Sequence, residues 1–127
     1  MISFFTEFKT ANSLASQKFN VIFFAESSYY FQYYQHLFEA LVAVPGLSIA
    51  YLTSDKADPV LQDRRVKAFY LKTTLAGIFP RLQADVMILT MPDLQNFLFK
   101  RSPGVKNYVY IFHALVSTHQ QYRAHAF

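Results

Sequence analysis

Five short runs of apolar, β-favouring residues punctuate this chain: VIFFA (Val21 to Ala25), LSIAYL (Leu47 to Leu52), VKAFYL (Val66 to Leu71), DVMILT (Asp85 to Thr90) and YVYIF (Tyr108 to Phe112). None alternates strictly between apolar and polar. A strand with one wet face alternates, whereas a strand covered on both faces is apolar almost throughout. Longer stretches of helical character separate the runs. The pattern therefore predicts an α/β fold, a Rossmann-like open parallel sheet of about five strands with helices on both faces.

The helical segments are legible from spacing. Tyr30, Tyr34, Leu37, Phe38 and Leu41 form a stripe of helical period, with Ser27 or Ser28 available as N-cap and Pro45-Gly46 as terminator. Thr73 to Leu82 reads as a short helix interrupted near Pro80, and Asp93 to Lys100 as another that follows Pro92. Ser102-Pro103-Gly104 turns the chain into the last strand, and Thr118 to Phe127 begins like a helix. Ahead of the first strand, Phe4, Phe5 and Phe8 lie at helical spacing, in a segment suited to docking on the sheet or on another molecule.

Composition narrows the class. A chain of 127 residues, 53% hydrophobic and without a Gly/Ser linker or an internal repeat, is expected to be a single domain, 1–127, with one main body of core. Its 18% aromatic content implies a crowded core or an aromatic surface awaiting a partner. The net charge of +4 is spread along the chain, with only Arg64-Arg65 and Lys100-Arg101 adjacent, so no nucleic-acid partner is expected. The same mild excess suits anionic lipid, a phosphorylated substrate or a merely soluble surface. With no cysteine there are no disulfides, thiolate metal sites or thiol nucleophiles. The N-terminus lacks a signal-peptide pattern and no apolar segment reaches the roughly 20 residues of a spanning helix. A cytoplasmic location follows as the default, with peripheral membrane contact left open.

Open parallel sheets bind ligands beyond the carboxyl ends of their strands, near the point where strand order reverses. The residues there are Glu26-Ser27-Ser28, Thr53-Ser54-Asp55, Lys72-Thr73-Thr74, Thr90 with Asp93 close by, and His113. In a 3-2-1-4-5 order, the tips bearing Glu26, Thr90 and His113 are neighbours. The first turn, AESSYYF, has no glycine, which disfavours dinucleotide binding, and no P-loop or receiver-domain pattern occurs. No cofactor is expected. His113, His119 and His125 recur every six residues, a spacing that does not align ligands on one helix face, so no metal is expected either. His36 lies at the boundary of the first helical stripe.

His113 follows an apolar strand at the functional edge, where two readings stand: a core histidine satisfied by a backbone bond, or an imidazole that takes a proton from a hydroxyl. Glu26 is equally divided. It either caps or pairs with a nearby lysine, or it orients an imidazole or a polyol hydroxyl.

Three segments together, VIFFAESSYYFQYYQHLFEAL, YLTSDKADPVL and NYVYIFHALVSTHQQYRAHAF, resemble the N-terminal half of CDP-glycerol glycerophosphotransferase-like proteins, from about Asn20 to the end of the chain. The resemblance implies a teichoic-acid-type transferase of two-domain GT-B fold, acting at the inner face of the cell membrane. In that family the N-terminal domain presents a polyol-phosphate or glycolipid acceptor and a strand-end histidine, commonly within Trp-His-Gly. A C-terminal domain holds the CDP-glycerol donor.

His113 matches the histidine, here within Phe112-His113-Ala114, and would be the catalytic base for transfer with loss of CMP. Glu26, Ser27, Ser117 and Thr118 would be acceptor contacts. With the donor domain absent from these 127 residues, the expectation is acceptor binding without turnover. Two further readings compete: a non-catalytic Rossmann-like interaction module whose aromatic surface meets a partner or a second copy as a homo-oligomer, and the N-terminal domain of a GT-B glycosyltransferase using a sugar nucleotide.

Overall fold

The computed structural model describes residues 4–89 and 102–111. Its elements are α1 (Phe4–Ala15), β1 (Lys18–Ala25), α2 (Phe31–Val42), β2 (Ile49–Thr53), β3 (Lys67–Tyr70), α3 (Leu75–Ile78), β4 (Gln83–Leu89) and β5 (Val105–Tyr110), with 3-10 turns at Ser28–Tyr30, Pro59–Gln62 and Phe79–Arg81. The strands form one all-parallel sheet in the order β3-β2-β1-β4-β5. This is the expected Rossmann-like open sheet, with strand order reversing between β1 and β4. The predicted helix from Asp93 to Lys100 and the one beginning at Thr118 lie outside the described residues.

Continuous apolar strands are explained by two cores. On one face Ile22 and Phe24 of β1 meet Leu14 of α1 and Leu75, Ile78 and Phe79. On the other, Phe23 of β1 and Tyr51 of β2 meet Tyr34 and Phe38 of α2. Cutting a leucine as buried as Leu14 to alanine typically costs about 2–5 kcal/mol, which is the scale of what fixes α1 to the sheet. Aromatic rings fill the α2 face edge to face: Phe31–Phe38 centroids are 5.2 Å apart, Phe23–Phe38 5.4 Å and Phe38–Tyr51 6.1 Å. Much of the aromatic content is thus core.

The buried face of α2 is the line from Tyr34 to Phe38, flanked by Phe31, Leu41 and Val42. Leu37 lies about 100° round the helix from Phe38, and it faces solvent although the stripe included it. In α1 the docking face is Glu7, Ala11, Leu14 and Ala15, while Phe5 and Phe8 are 65% and 50% exposed. The two phenylalanines therefore do not mark the docked face. Small alanines let the helix lie close to the sheet, and the single carboxylate among them finds hydrogen-bond donors there.

Strand boundaries extend into polar residues at the amino edge. β5 begins at Val105, three residues before the apolar run, because Lys106 and Asn107 keep their side chains in solvent on an edge strand. Within β1 the in-out alternation slips at Asn20: Phe19 and Val21 pack on opposite faces. The N–H groups of Asn20 and Val21 both donate to the Ser48 carbonyl, at 3.0 and 3.1 Å. The Asn20 side chain fixes this irregularity by donating to Asp85 Oδ2 at 3.0 Å and accepting from the Ser48 N–H at 2.9 Å.

Candidate functional site

At the carboxyl edge, the loops after β1 and β2 are tied to each other. Ser54 donates its N–H to the Ala25 carbonyl at 3.3 Å and its hydroxyl to the Glu26 carbonyl at 2.9 Å. Asp55 accepts the N–H of Ser28 on one carboxylate oxygen and that of Ala57 on the other, each at 2.9 Å. The bond from the Ser28 amide, then that from Ala57, holds the Asp55 carboxyl below its usual range. Ser27, one of the predicted acceptor contacts, is the N-cap of the turn that leads into α2 and accepts the Tyr29 N–H at 3.0 Å.

The loop after β3 is closed by a side chain that sequence reasoning missed. Glu7 Oε2 accepts the N–H of Lys72 at 3.0 Å, the N–H of Thr74 at 2.7 Å and the Thr74 hydroxyl at 2.8 Å. Burial works to raise the Glu7 pKa, but the bonds from Thr74, Lys72 and Thr73 outweigh it and hold the carboxyl below its usual range. The signal was the run Glu7, Ala11, Leu14, Ala15, whose helical spacing puts the carboxylate on the small-residue face. Asp55 left no such trace, because its partner lies on another strand's loop.

These two carboxylates have a common consequence. Exposed amides at a βα turn are what an open sheet offers a phosphate. After β1 the Ser28 amide is already engaged by Asp55, and after β3 the Lys72 and Thr74 amides by Glu7.

A groove of about 480 Å³ lies beside this edge, between α2 and the Pro59–Gln62 turn. Its one cation among the described residues is paired within it: Arg65 reaches Glu39 at 2.8 Å and Asp63 at 2.7 Å. Asp58, which also lines it, accepts the Tyr51 hydroxyl and the Val60 N–H, both at 3.0 Å. Burial first, and then the Asp58 charge, pushes the Tyr51 hydroxyl far up, so it serves as a permanent donor. These are fold-holding contacts.

Glu26 is a polar tip residue that remains available, as the exposed side chains of Lys72 and Thr73 do after β3. Its side chain is exposed and has no partner among the described residues. Three residues on, Tyr29 is 61% exposed and stands edge-on to Tyr30 and Tyr33, with centroids 5.3 and 6.2 Å away. β5 joins β4 through Leu89 opposite Tyr110 and the Ile111 N–H donating to the Leu89 carbonyl at 2.9 Å. The structure thus brings Glu26 and Ser27 together at the β1 tip. His113, Ser117 and Thr118, like Thr90, lie outside the described residues. Among the described residues no group of His, Cys, Asp and Glu could hold a metal ion, and no helix is long and apolar enough to cross a membrane.

Fold and edge together define an α/β protein with an open parallel sheet and its order reversal between β1 and β4. The chain matches no family model, no curated protein and no solved structure.

Proposed function

We propose that this chain is the acceptor-side domain of a transferase resembling the CDP-glycerol glycerophosphotransferases, and that it holds a polyol-phosphate or glycolipid acceptor by its hydroxyl groups. The observation that carries this reading is the exposed Glu26 carboxylate, unpartnered among the described residues, in the same turn as the exposed Tyr29 ring, at the β1 end of the order reversal, where Asp55 has taken up the Ser28 amide. A carboxylate accepts hydrogen bonds from hydroxyls and an aromatic face packs on the C–H faces of a polyol, whereas neither attracts a phosphate.

In this reading His113, two residues beyond Ile111, is the base. It takes the proton of the acceptor hydroxyl as that oxygen bonds to the β-phosphorus of CDP-glycerol and the bond to CMP breaks. Ser117 and Thr118 are further acceptor contacts. Titration of the folded chain with glycerol phosphate oligomers, followed by amide chemical shifts, tests it. Saturable shifts at Glu26 to Tyr29, weakened about tenfold in Glu26→Gln, are expected, without release of CMP from added CDP-glycerol. Absence of saturable binding, or unchanged binding by Glu26→Gln, overturns the reading.

The exposure of Phe5 and Phe8 favours a second reading, an interaction module that self-associates or meets a membrane surface through α1. Sedimentation and vesicle flotation of the wild type and the Phe5→Ser/Phe8→Ser double variant separate it from the first.

A further inference from the structure

On the face of the sheet covered by α1 and α3, a groove of about 380 Å³ opens between the two helices. Its apolar wall is Phe8 and Ala11 of α1 and Ile78 of α3, and its polar groups are Asn12, Thr73 and Arg81. Arg81 is the one charged side chain among the described residues that line it. Neither Arg81 nor the side chains of Asn12 and Thr73 have a partner among the described residues. Glu7, the nearby carboxylate, accepts the Lys72 and Thr74 amides and the Thr74 hydroxyl on Oε2.

Gly77 is the second, independent observation. It sits inside α3, and its φ is not in the left-handed region, so the backbone does not require glycine. A Cβ built on it would meet nothing within 4 Å among the described residues, so packing does not require glycine either. Alanine favours a helix over glycine. Glycine lines the groove without a side chain that would narrow it.

We infer that this groove binds a small organic carboxylate carrying an apolar body. A volume near 380 Å³ is at the lower end for small-molecule sites. One guanidinium matches one carboxylate, with the Thr73 hydroxyl and the Asn12 amide as neutral donors around it. A dianionic phosphate would need the turn amides of Lys72 and Thr74, and Glu7 holds those. The inference is independent of the acceptor reading, since it concerns neither Glu26 nor the residues after β5.

The test is amide chemical-shift titration of the intact chain with phenylacetate, against acetate and neutral phenylacetamide. Saturable shifts confined to residues 8–12 and 73–81 are expected with phenylacetate, with acetate and phenylacetamide weaker by about tenfold or more. Arg81→Gln, at an exposed position, should weaken phenylacetate by a similar factor. Gly77→Leu should abolish binding by filling the groove while keeping the dispersed spectrum of the fold. Three results each overturn the inference: no saturable shift at those residues, phenylacetamide binding as tightly as phenylacetate, or unaltered affinity in folded Arg81→Gln or Gly77→Leu.

Discussion

Asp55 accepts the backbone N–H of Ser28 at 2.9 Å, so a carboxylate from the loop after β2 occupies the first turn after β1. That bond spans two strand tips and aligns the turn that carries Ser27 and Tyr29. Asp55→Ala is expected to free the Ser28 and Ala57 amides and to speed their hydrogen exchange, with little change at core amides such as Ile22. Unchanged exchange at Ser28 would show that the loop is held by the Ser54 bonds alone.

Glu7 gives the chain an acid-sensitive clamp. Its carboxyl pKa is lowered in the fold, so the stabilisation is fully present above the ordinary glutamate range. It is lost as pH falls through the lowered value. Replacing it with glutamine, which keeps the shape but not the charge, should cost about 1–3 kcal/mol near neutrality. Urea unfolding at pH 7 and at pH 3 checks both points: the difference between wild type and Glu7→Gln should shrink in acid.

Among the chain's three glycines, Gly104 is the one closely approached by its surroundings. A Cβ there would stand 2.7 Å from the Leu82 carbonyl oxygen, a backbone atom that cannot swing aside. That carbonyl also accepts the Ser102 hydroxyl, and the Ala84 N–H donates to the Gly104 carbonyl at 3.1 Å. Gly104→Ala should therefore destabilise by about 1–3 kcal/mol through forced backbone movement, read as a lower melting temperature. The loss should fall on β5 amides first in hydrogen exchange, since this turn sets where β5 enters the sheet.

Ser27 and Glu26 are adjacent yet should respond in opposite ways. Ser27→Ala removes an N-cap and is expected to cost about 1 kcal/mol. Glu26→Gln touches no described partner and should leave the melting temperature unchanged. Thermal unfolding of the two variants separates a residue spent on the fold from one left for a ligand.

The strand runs were legible because burial on both faces writes itself into each residue of a central strand, as at Ile22 and Phe23. Boundaries were less so. Lys106 and Asn107 belong to β5, but an edge strand tolerates polar side chains and so hides its own beginning. In the candidate site, Glu26 and Ser27 stood out as a strand-tip pair, and the cap chemistry of Ser27 follows from its place before a helix.

By itself the sequence determined the class, a parallel α/β sheet, because apolar periodicity is a local property that each segment carries alone. It also settled the stop at Pro45-Gly46 and the interruption near Pro80, where backbone chemistry acts within a few residues. Only the tertiary structure decided which carboxylates are spent and which is free. Glu7 meets donors 65 and 67 residues away and Asp55 one 27 residues away, while Glu26 faces solvent. A hydrogen bond between distant segments depends on where packing brings them, and no spacing along the chain records that.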